Sequence, residues 1–393
     1  MGGFFRSTLL LACSIIACGP SPQEGTPTQF SLVPVARFGS MDGALALQRV
    51  MGLSLSPGRS RLYVSQWGVQ NLLVISREGD SISSIGRGGG GPGEFSGPTV
   101  SRPLWVGDTL WVADLDRTVV RFDSLGDFID QRNLEVQPLG PYQLAPQVIA
   151  PLPEGMTLVK GSAGMMAVIQ GRVTQLPFVR IGTNGEVIDT VTTVSESGAF
   201  MSITWPNGSG SVGGNPFGSA PRWAVSHRQD PRIVIADLDG FSRLNPVVHL
   251  YVIGMNGDTV QSGAVPVEPV EFSEAHIDQV LEDRFLGFIE DGRISKPVLR
   301  NILEDQVGIP SLQPAVSSVL LSRDGSIWLE GPHQDPDSIS VTVLEGGDLS
   351  VLGRTALPRN VGLIWVSLDE VWARAEGRWG ESYILRFEPR WSP

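Results

Sequence analysis

Residues 86–98 read GRGGGGPGEFSGP, and residues 110–128 read LWVADLDRTVVRFDSLGDF. A run this rich in glycine can hold a phosphate in front of a helix, or it can turn the chain between two strands. The glycines satisfy the dinucleotide pattern G-x-G-x-x-G, but Pro92 and Pro98 oppose a helix start, and a strand-like segment follows. No lysine follows in the position that a P-loop requires. The stretch therefore predicts a turn between strands, not a phosphate site.

The pattern around this stretch recurs along the chain. Each unit has short apolar strands separated by polar turns, and the units lie at 62–80, 110–127, 156–191, 232–262, 326–352 and 370–391. The turns include Asn184-Gly185, Asn256-Gly257 and Asp324-Gly325, in which glycine supplies the positive φ of a hairpin turn. One such sheet cannot bury both of its faces, and radial packing of successive sheets solves this problem. The repeats predict an all-β, six-bladed β-propeller over 29–393.

The two ends of the folded chain are expected to meet. The last unit has room for only three strands before Trp391, while FSLVPVARFG at 30–39 is a strand-like piece without a unit. We expect this N-terminal segment to pair with the last unit and complete its sheet.

The composition and charge of the chain argue against one class of partner. The chain has 393 residues, 41% of them hydrophobic, with 47 Gly, 29 Pro and a formal net charge of −12. This charge would repel nucleic acid, and no cluster of Lys and Arg offsets it locally. No nucleic-acid partner is predicted.

The N-terminus has the features of a secretory signal. Residues 1–17 contain one arginine and an apolar run that is too short to span a membrane, and they end before Cys18. The segment resembles a bacterial lipoprotein signal, which implies that Cys18 is lipidated, that it contacts the lipid bilayer, and that 18–28 is a flexible tether. Gly19 after the cysteine implies, by the same resemblance, transfer to the outer membrane. Cys13 and Cys18 are the only cysteines, so the folded part has no disulfide, thiolate zinc site or cysteine nucleophile.

Residues 86–128 resemble the NHL-type repeat of bacterial six-bladed propeller lipoproteins. The matching structural motif is Gly91, Pro92, Gly93, Glu94 and Phe95, followed by Pro98, Val112-Ala113-Asp114 and Phe122-Asp123. The resemblance implies a crossover between blades, with Phe95 between two sheets and Asp114 fixing its own loop. It implies the fold strongly and the function weakly.

Two regions depart from the repeat. Residues 266–312 contain apolar residues at helical spacing after Ser273, which predicts a small helical insertion between blades 4 and 5. The insertion would either pack across the ring or serve as a lid or docking surface. Residues 204–223 form a long glycine-rich stretch of the kind that often binds ligands. The candidate ligand-binding residues here and just beyond are Trp205, Phe217, Arg222, Trp223 and His227, although the aromatic residues could equally anchor the loop.

Catalytic residues are not apparent. Of the histidines, His249 and His276 fall in a predicted strand and helix, where structural roles are common, and His227 is the one expected near the axis. No catalytic residue, metal site or cofactor is predicted. The acidic residue Asp237, like Asp114, belongs to a repeated ADLD that could hold calcium, but capping of the loop is the favoured role.

The sequence leaves three functions open. The favoured one is a membrane-tethered, non-catalytic propeller in the cell envelope that binds a peptide, glycan or protein partner at the mouth of its channel. The second is a metal-dependent lyase or hydrolase at the same channel. The third is a structural component of an envelope complex.

Overall fold

A computed structural model describes the chain over most of its length. The described residues are 28–39, 45–79, 82–97, 102–114, 118–134, 145–162, 174–196, 200–205, 208–213, 215, 217–218, 220–226, 231–335, 337–377 and 381–392. The predicted signal, Cys18 and most of the tether lie outside them.

Short strands make up nearly all of the regular structure. The first of them are β1 (Thr28–Phe38), β2 (Val50–Leu55), β3 (Arg61–Gln66), β4 (Leu72–Ser76), β5 (Ile82–Ile85), β6 (Arg87–Gly88), β7 (Glu94–Phe95), β8 (Leu104–Val106), β9 (Thr109–Ala113), β10 (Thr118–Phe122), β11 (Phe128–Asn133), β12 (Ala145–Pro151), β13 (Thr157–Ser162), β14 (Gln175–Ile181) and β15 (Val187–Ser195). They continue with β16 (Phe200–Trp205), β17 (Gly208–Gly213), β18 (Arg222–Val225), β19 (Arg232–Asp237), β20 (Val247–Gly254) and β21 (Thr259–Pro266). The helices α1 (Glu274–Glu290) and α2 (Lys296–Ile302) follow, with short helical turns at Pro153–Gly155 and Leu303–Val307. The last strands are β22 (Ser318–Leu321), β23 (Ile327–Glu330), β24 (Ser338–Leu344), β25 (Val351–Pro358), β26 (Val361–Val366), β27 (Val371–Glu376) and β28 (Ser382–Trp391).

The strands form small antiparallel sheets in chain order. Four sheets have four strands each, namely β2–β5, β8–β11, β12–β15 and β18–β21. An eight-stranded sheet contains β22–β25 followed by β1, β28, β27 and β26. Within it β1 pairs antiparallel with β28 along most of its length and touches β25 in parallel only at Thr28 and Gln29. The predicted pairing of the N-terminal segment with the last repeat is therefore present.

The sheets close into a ring around a channel. Each pair of neighbouring sheets shares a buried apolar cluster, such as Tyr63, Phe95 and Trp105 between the first two sheets. The cluster of Phe38, Leu53 and Trp372 packs the end of the chain against its beginning. Burial of each such side chain stabilises the fold by about 1.5–3 kcal/mol. The fold is an all-β propeller, and β2, β8, β12, β18, β22 and β26 are among the strands that line its channel.

The glycine-rich stretch turns the chain from one sheet to the next. β6 and β7 pair in parallel, so the stretch closes into a loop. Gly86 has φ +71°, and a Cβ there would lie 2.3 Å from the ring of Phe95, which is fully buried. Glu94 accepts a hydrogen bond from the Gly91 amide at 2.7 Å, and this bond together with Arg87 lowers the pKa of Glu94. The next described element is the strand β8, and the glycines allow the close approach of Phe95 and the positive φ of the turn.

The Asn-Gly turns use glycine alone for positive φ. Gly185 and Gly257 have φ of +84° and +86°, whereas the asparagines before them do not have positive φ. A type I′ turn would need positive φ at both central residues, so these hairpins have longer turns with an adjacent irregularity in register.

The helices lie between β21 and β22 and pack on a hairpin. Ser273 caps α1 by accepting a hydrogen bond from the amide of His276 at 3.3 Å. Leu281 and Phe285 of α1 are fully buried in a cluster with Ile203 of β16. Among the described residues, none of the helices combines the length and the apolar character needed to cross a membrane.

Candidate functional site

The channel contains a cavity of about 310 Å³. Its wall includes four tryptophans, Trp105, Trp111, Trp223 and Trp365. The Nε1 atom of Trp105 is buried and has no hydrogen-bond partner in the described part of the chain. A mostly apolar cavity with a few polar groups is the usual form of a ligand site.

Arg102 brings a cation into this cavity. It lies just before β8, where Gly52 leaves room for it, since a Cβ at Gly52 would approach the Arg102 Cα to 2.8 Å. Its Nε atom is buried without a hydrogen-bond partner within the described ranges. Burial lowers the pKa of Arg102 to about 10, so the group remains charged at neutral pH. An unmatched buried cation favours a ligand that carries negative charge.

A second cavity of about 240 Å³ opens where β18 and β22 begin, and we call it the mouth pocket. Its lining residues are Ser195, Glu196, Ala220, Pro221, Arg222, Trp223, Ser317, Ser318 and Val319. Trp223 and Val319 also line the channel cavity, so the two cavities adjoin. Together they offer a continuous path from the channel to its end.

The mouth pocket has a defined arrangement of charges. Lys160 on β13 pairs with Glu196 at 2.5 Å, and the two side chains are only 8% and 13% exposed. The Lys160 ammonium also lies 5.5 Å from the ring centre of Trp223, which packs edge-on against Phe178. The pairing neutralises Glu196 and fixes one wall of the pocket.

Arg222 is the cation left over in the mouth pocket. Its Nη1 atom donates to the carbonyl of Ala220 at 3.1 Å, while its Nε atom is buried with no partner in the described structure. Burial lowers the pKa of Arg222, the charge of Glu196 raises it, and the charge of Arg284 on α1 lowers it. The effect of Arg284 indicates that α1 lies near this end of the channel.

The structure separates the predicted ligand-binding residues into two groups. Arg222 and Trp223 line the mouth pocket, as a binding role requires. Phe217 is buried against Phe272, and Trp205 packs against Phe288 in the cluster below α1. These two residues hold the helical segment together and do not line either cavity, which corresponds to the anchoring alternative.

The remaining candidate residues have structural surroundings or lie outside the described part. His227 lies outside the described residues. Asp114 accepts a hydrogen bond from the amide of Thr118, which fixes its own loop, and accepts two more from the amides of Ser96 and Gly97, which join that loop to the glycine-rich stretch. Asp237 accepts from the amide of Asp239 at 3.0 Å. Within the described ranges, no group of three or more His, Cys, Asp or Glu residues could hold a metal ion.

Sequence reasoning missed Arg102, Lys160 and Glu196. A signal was available for Lys160, because a lysine inside the apolar strand TLVKGS is rarely buried unless it is paired. No local pattern marks Arg102 or Glu196, which reach the site through the closure of the ring.

Comparison with known proteins adds little beyond the fold. No family model and no curated protein matches the sequence. Similar solved structures include a Bacteroides fragilis protein described as exported, with 11% identity, a TM-score of 0.47, and coverage of 93% of this chain and 95% of that chain. A PQQ-bound aldose sugar dehydrogenase from Streptomyces coelicolor has 14% identity, a TM-score of 0.43 and coverage of 93% and 100%. BamB from Moraxella catarrhalis has 10% identity, a TM-score of 0.35 and coverage of 91% and 93%. At these scores the similarities carry no argument about function.

Proposed function

We propose that the protein is a membrane-tethered, non-catalytic propeller that binds a peptide, glycan or protein partner at the mouth of its channel. The observation that carries this proposal is the pair of adjoining cavities, each lined by a partly buried arginine whose Nε atom has no partner among the described residues. Each arginine brings positive charge to its cavity, and a ligand that carries an acidic group would compensate this charge. Trp223 forms a wall common to both cavities and would contact the ligand along its length.

We propose that the propeller has six blades. The eight-stranded sheet divides at β1, which has only a two-residue contact with β25 and a long pairing with β28. We treat its halves as two blades, so that 266–312 becomes an insertion between blades 4 and 5. In this arrangement the helices stand beside the mouth pocket and can contribute to partner selection.

The binding role is tested by screening full-length protein in detergent against glycan and peptide arrays. We expect at least one class of probe to bind the wild type and to be lost in Trp223→Ala. The variant Arg243→Gln changes an exposed arginine outside both cavities and should bind as the wild type does. Failure of every probe to bind the wild type would contradict the proposal.

The tether and the envelope location rest on the sequence of 1–28. Lipidation at Cys18 would hold the propeller at a membrane, and Gly19 favours the outer membrane. Replacement Cys18→Ser should move the protein from the membrane fraction to the soluble fraction. Retention of the variant at the membrane would show that the anchor assignment is wrong.

The enzymatic alternative can be tested by a separate experiment. A metal-dependent lyase or hydrolase would need ligands at the channel, and His227 is the predicted candidate. Elemental analysis of wild type and His227→Ala decides the matter, because a stoichiometric metal that is lost in the variant contradicts a binding-only role. A structural role in an envelope complex would instead give a fixed partner in pull-downs from detergent extracts.

A further inference from the structure

The mouth pocket has the charge balance of a site for a monoanion. Glu196 and Lys160 cancel each other at 2.5 Å, which leaves the single positive charge of Arg222 facing the cavity. A carboxylate would neutralise this charge and could accept two parallel hydrogen bonds from a guanidinium. A phosphate dianion would leave surplus negative charge beside Glu196 in a buried site, which is costly.

A second carboxyl, that of Glu330, lies behind the lining of the pocket. Glu330 lies at the end of β23, is 7% exposed and accepts a hydrogen bond from the Leu363 amide at 2.7 Å. Burial raises the pKa of Glu330 and favours its neutral form, and the Ser318 hydroxyl hydrogen-bonds to it. Arg374 faces Glu330 from β27, and Arg284 adds positive charge from α1. Glu330, Arg374 and Arg284 are not among the residues that line the pocket, so Arg222 remains the one cation of its described lining without a salt-bridge partner.

The uncharged part of the lining suits a saccharide. Trp223 contributes an aromatic wall, and Ser195, Ser317 and Ser318 are among the lining residues. The Ser317 hydroxyl donates to the Glu330 carbonyl at 3.2 Å and can still accept a hydrogen bond. Hydroxyl groups both donate and accept hydrogen bonds, as do the hydroxyls of a sugar ring. The tryptophans of the adjoining channel cavity extend the aromatic wall beyond the pocket. A ring with several hydroxyls and one carboxylate combines these features.

We propose that the mouth pocket binds the carboxylate of a hexuronic acid residue in an acidic glycan, with Arg222 as its charge partner and Trp223 as the wall against the sugar ring. This inference rests on the proposed binding function and names the class of ligand. It assigns Arg222 to recognition of the carboxylate and Trp223 to recognition of the sugar itself.

The test compares trigalacturonic acid with its methyl ester, which has the same shape without the charge. Titration calorimetry of the full-length protein in detergent should show that the acid binds at least about 10-fold tighter than the ester. Arg222→Gln should weaken binding of the acid by about 10–100-fold and should bind acid and ester alike. Arg222→Lys keeps the charge but loses the planar fork, so it should bind the acid with intermediate affinity.

Control variants and probes show which part of the proposal is wrong if the binding results differ from those expected. Arg243→Gln should keep the preference for the acid, and thermal melting of each variant checks that it is folded. Equal, Trp223-dependent binding of acid and ester would overturn the carboxylate assignment while leaving the binding function intact. Arg222-dependent binding of tri-alanine without binding of trigalacturonic acid would overturn the sugar assignment. Absence of binding to both saccharides and to all array probes would mean that the proposed function itself is wrong.

Discussion

Two groups of charged side chains lie in different parts of the propeller and have different consequences. The first, which we call the closure cluster, contains Arg59, Arg77, Asp369, Glu370 and Arg386. The second is the mouth pocket with Lys160, Glu196 and Arg222. In each group the cations outnumber the carboxylates by one. The difference lies in the space around the charges.

The closure cluster is packed against protein on all sides of its acid. Glu370 is 2% exposed, and Arg77 and Arg386 each reach its carboxylate at 2.8 Å, at ion-pair distance but without hydrogen-bond angles. Arg59 from the first repeat pairs with Asp369 of the last repeat at 2.7 Å. These contacts join the two ends of the ring.

The mouth pocket instead leaves its extra cation beside open volume. Arg222 faces a cavity of about 240 Å³ where no described carboxylate other than Glu196 lines the wall. The comparison indicates that similar sets of charges differ in what they can do: the enclosed set joins parts of the fold, whereas the set beside a cavity has room for the ligand that we propose. Packing decides between the two, because an ion pair enclosed by protein cannot be exchanged for another partner.

The largest expected effect comes from breaking the closure cluster. Glu370→Gln would leave two arginines without their buried acid, and we expect a loss of about 3–5 kcal/mol in the free energy of unfolding. Urea denaturation followed by tryptophan fluorescence measures this loss. The matched control Glu388→Gln changes an exposed acid on β28 and should have almost no effect. A loss in Glu370→Gln as small as in the control would show that the cluster does not close the ring.

A smaller loss is expected in the mouth pocket. Glu196→Gln leaves the buried Lys160 without its acid, so we expect a loss of about 1–3 kcal/mol in the free energy of unfolding. It also raises the positive charge of the pocket, so binding should shift from monoanions toward dianions such as glucose 6-phosphate. Calorimetry with this probe and with trigalacturonic acid checks the shift, and an unchanged preference would count against our electrostatic account.

Glu330, which lies behind the mouth pocket, makes the stability of the protein depend on pH. Its pKa is raised in the folded state by burial, so its contribution to stability is present below the ordinary value of 4.5 and is lost as pH rises through the folded-state pKa. The variant Glu330→Gln lacks the titrating carboxyl and so does not lose this contribution. Its stability relative to that of the wild type should therefore increase as pH rises from 4 to 7. Melting curves at several pH values measure the difference, and a constant difference would contradict the sign.

The smallest effect on stability is expected for Arg222. Arg222→Gln removes a buried charge without a carboxylate partner of its own, so the free energy of unfolding should change by no more than about 1 kcal/mol, and toward greater stability. Binding of the acidic saccharide should nevertheless weaken by about 10–100-fold. A large loss of stability would mean that Arg222 holds parts of the fold together, as the closure cluster does.

Much of the fold could be predicted from local patterns. The glycines and Phe95 of the crossover, the strand at 30–39 and the apolar helix positions after Ser273 each follow from short-range rules of turn geometry and periodicity. The irregular loop led to the prediction of Arg222 and Trp223, which line the mouth pocket of our proposal. The same reasoning included Phe217 and Trp205, which pack in the cluster with α1 and line neither described cavity.

The sequence by itself determined that this chain forms repeated small sheets joined by glycine turns, because alternation of apolar residues and positive φ are properties of neighbouring residues. Only the tertiary structure decided which charges meet at the mouth pocket. Lys160, Glu196, Arg222 and Ser317 lie far apart in the chain, and their distances and burial depend on how the sheets pack into a ring. The electrostatics of a site depend on those distances and on exclusion of water, and no local pattern encodes either of them.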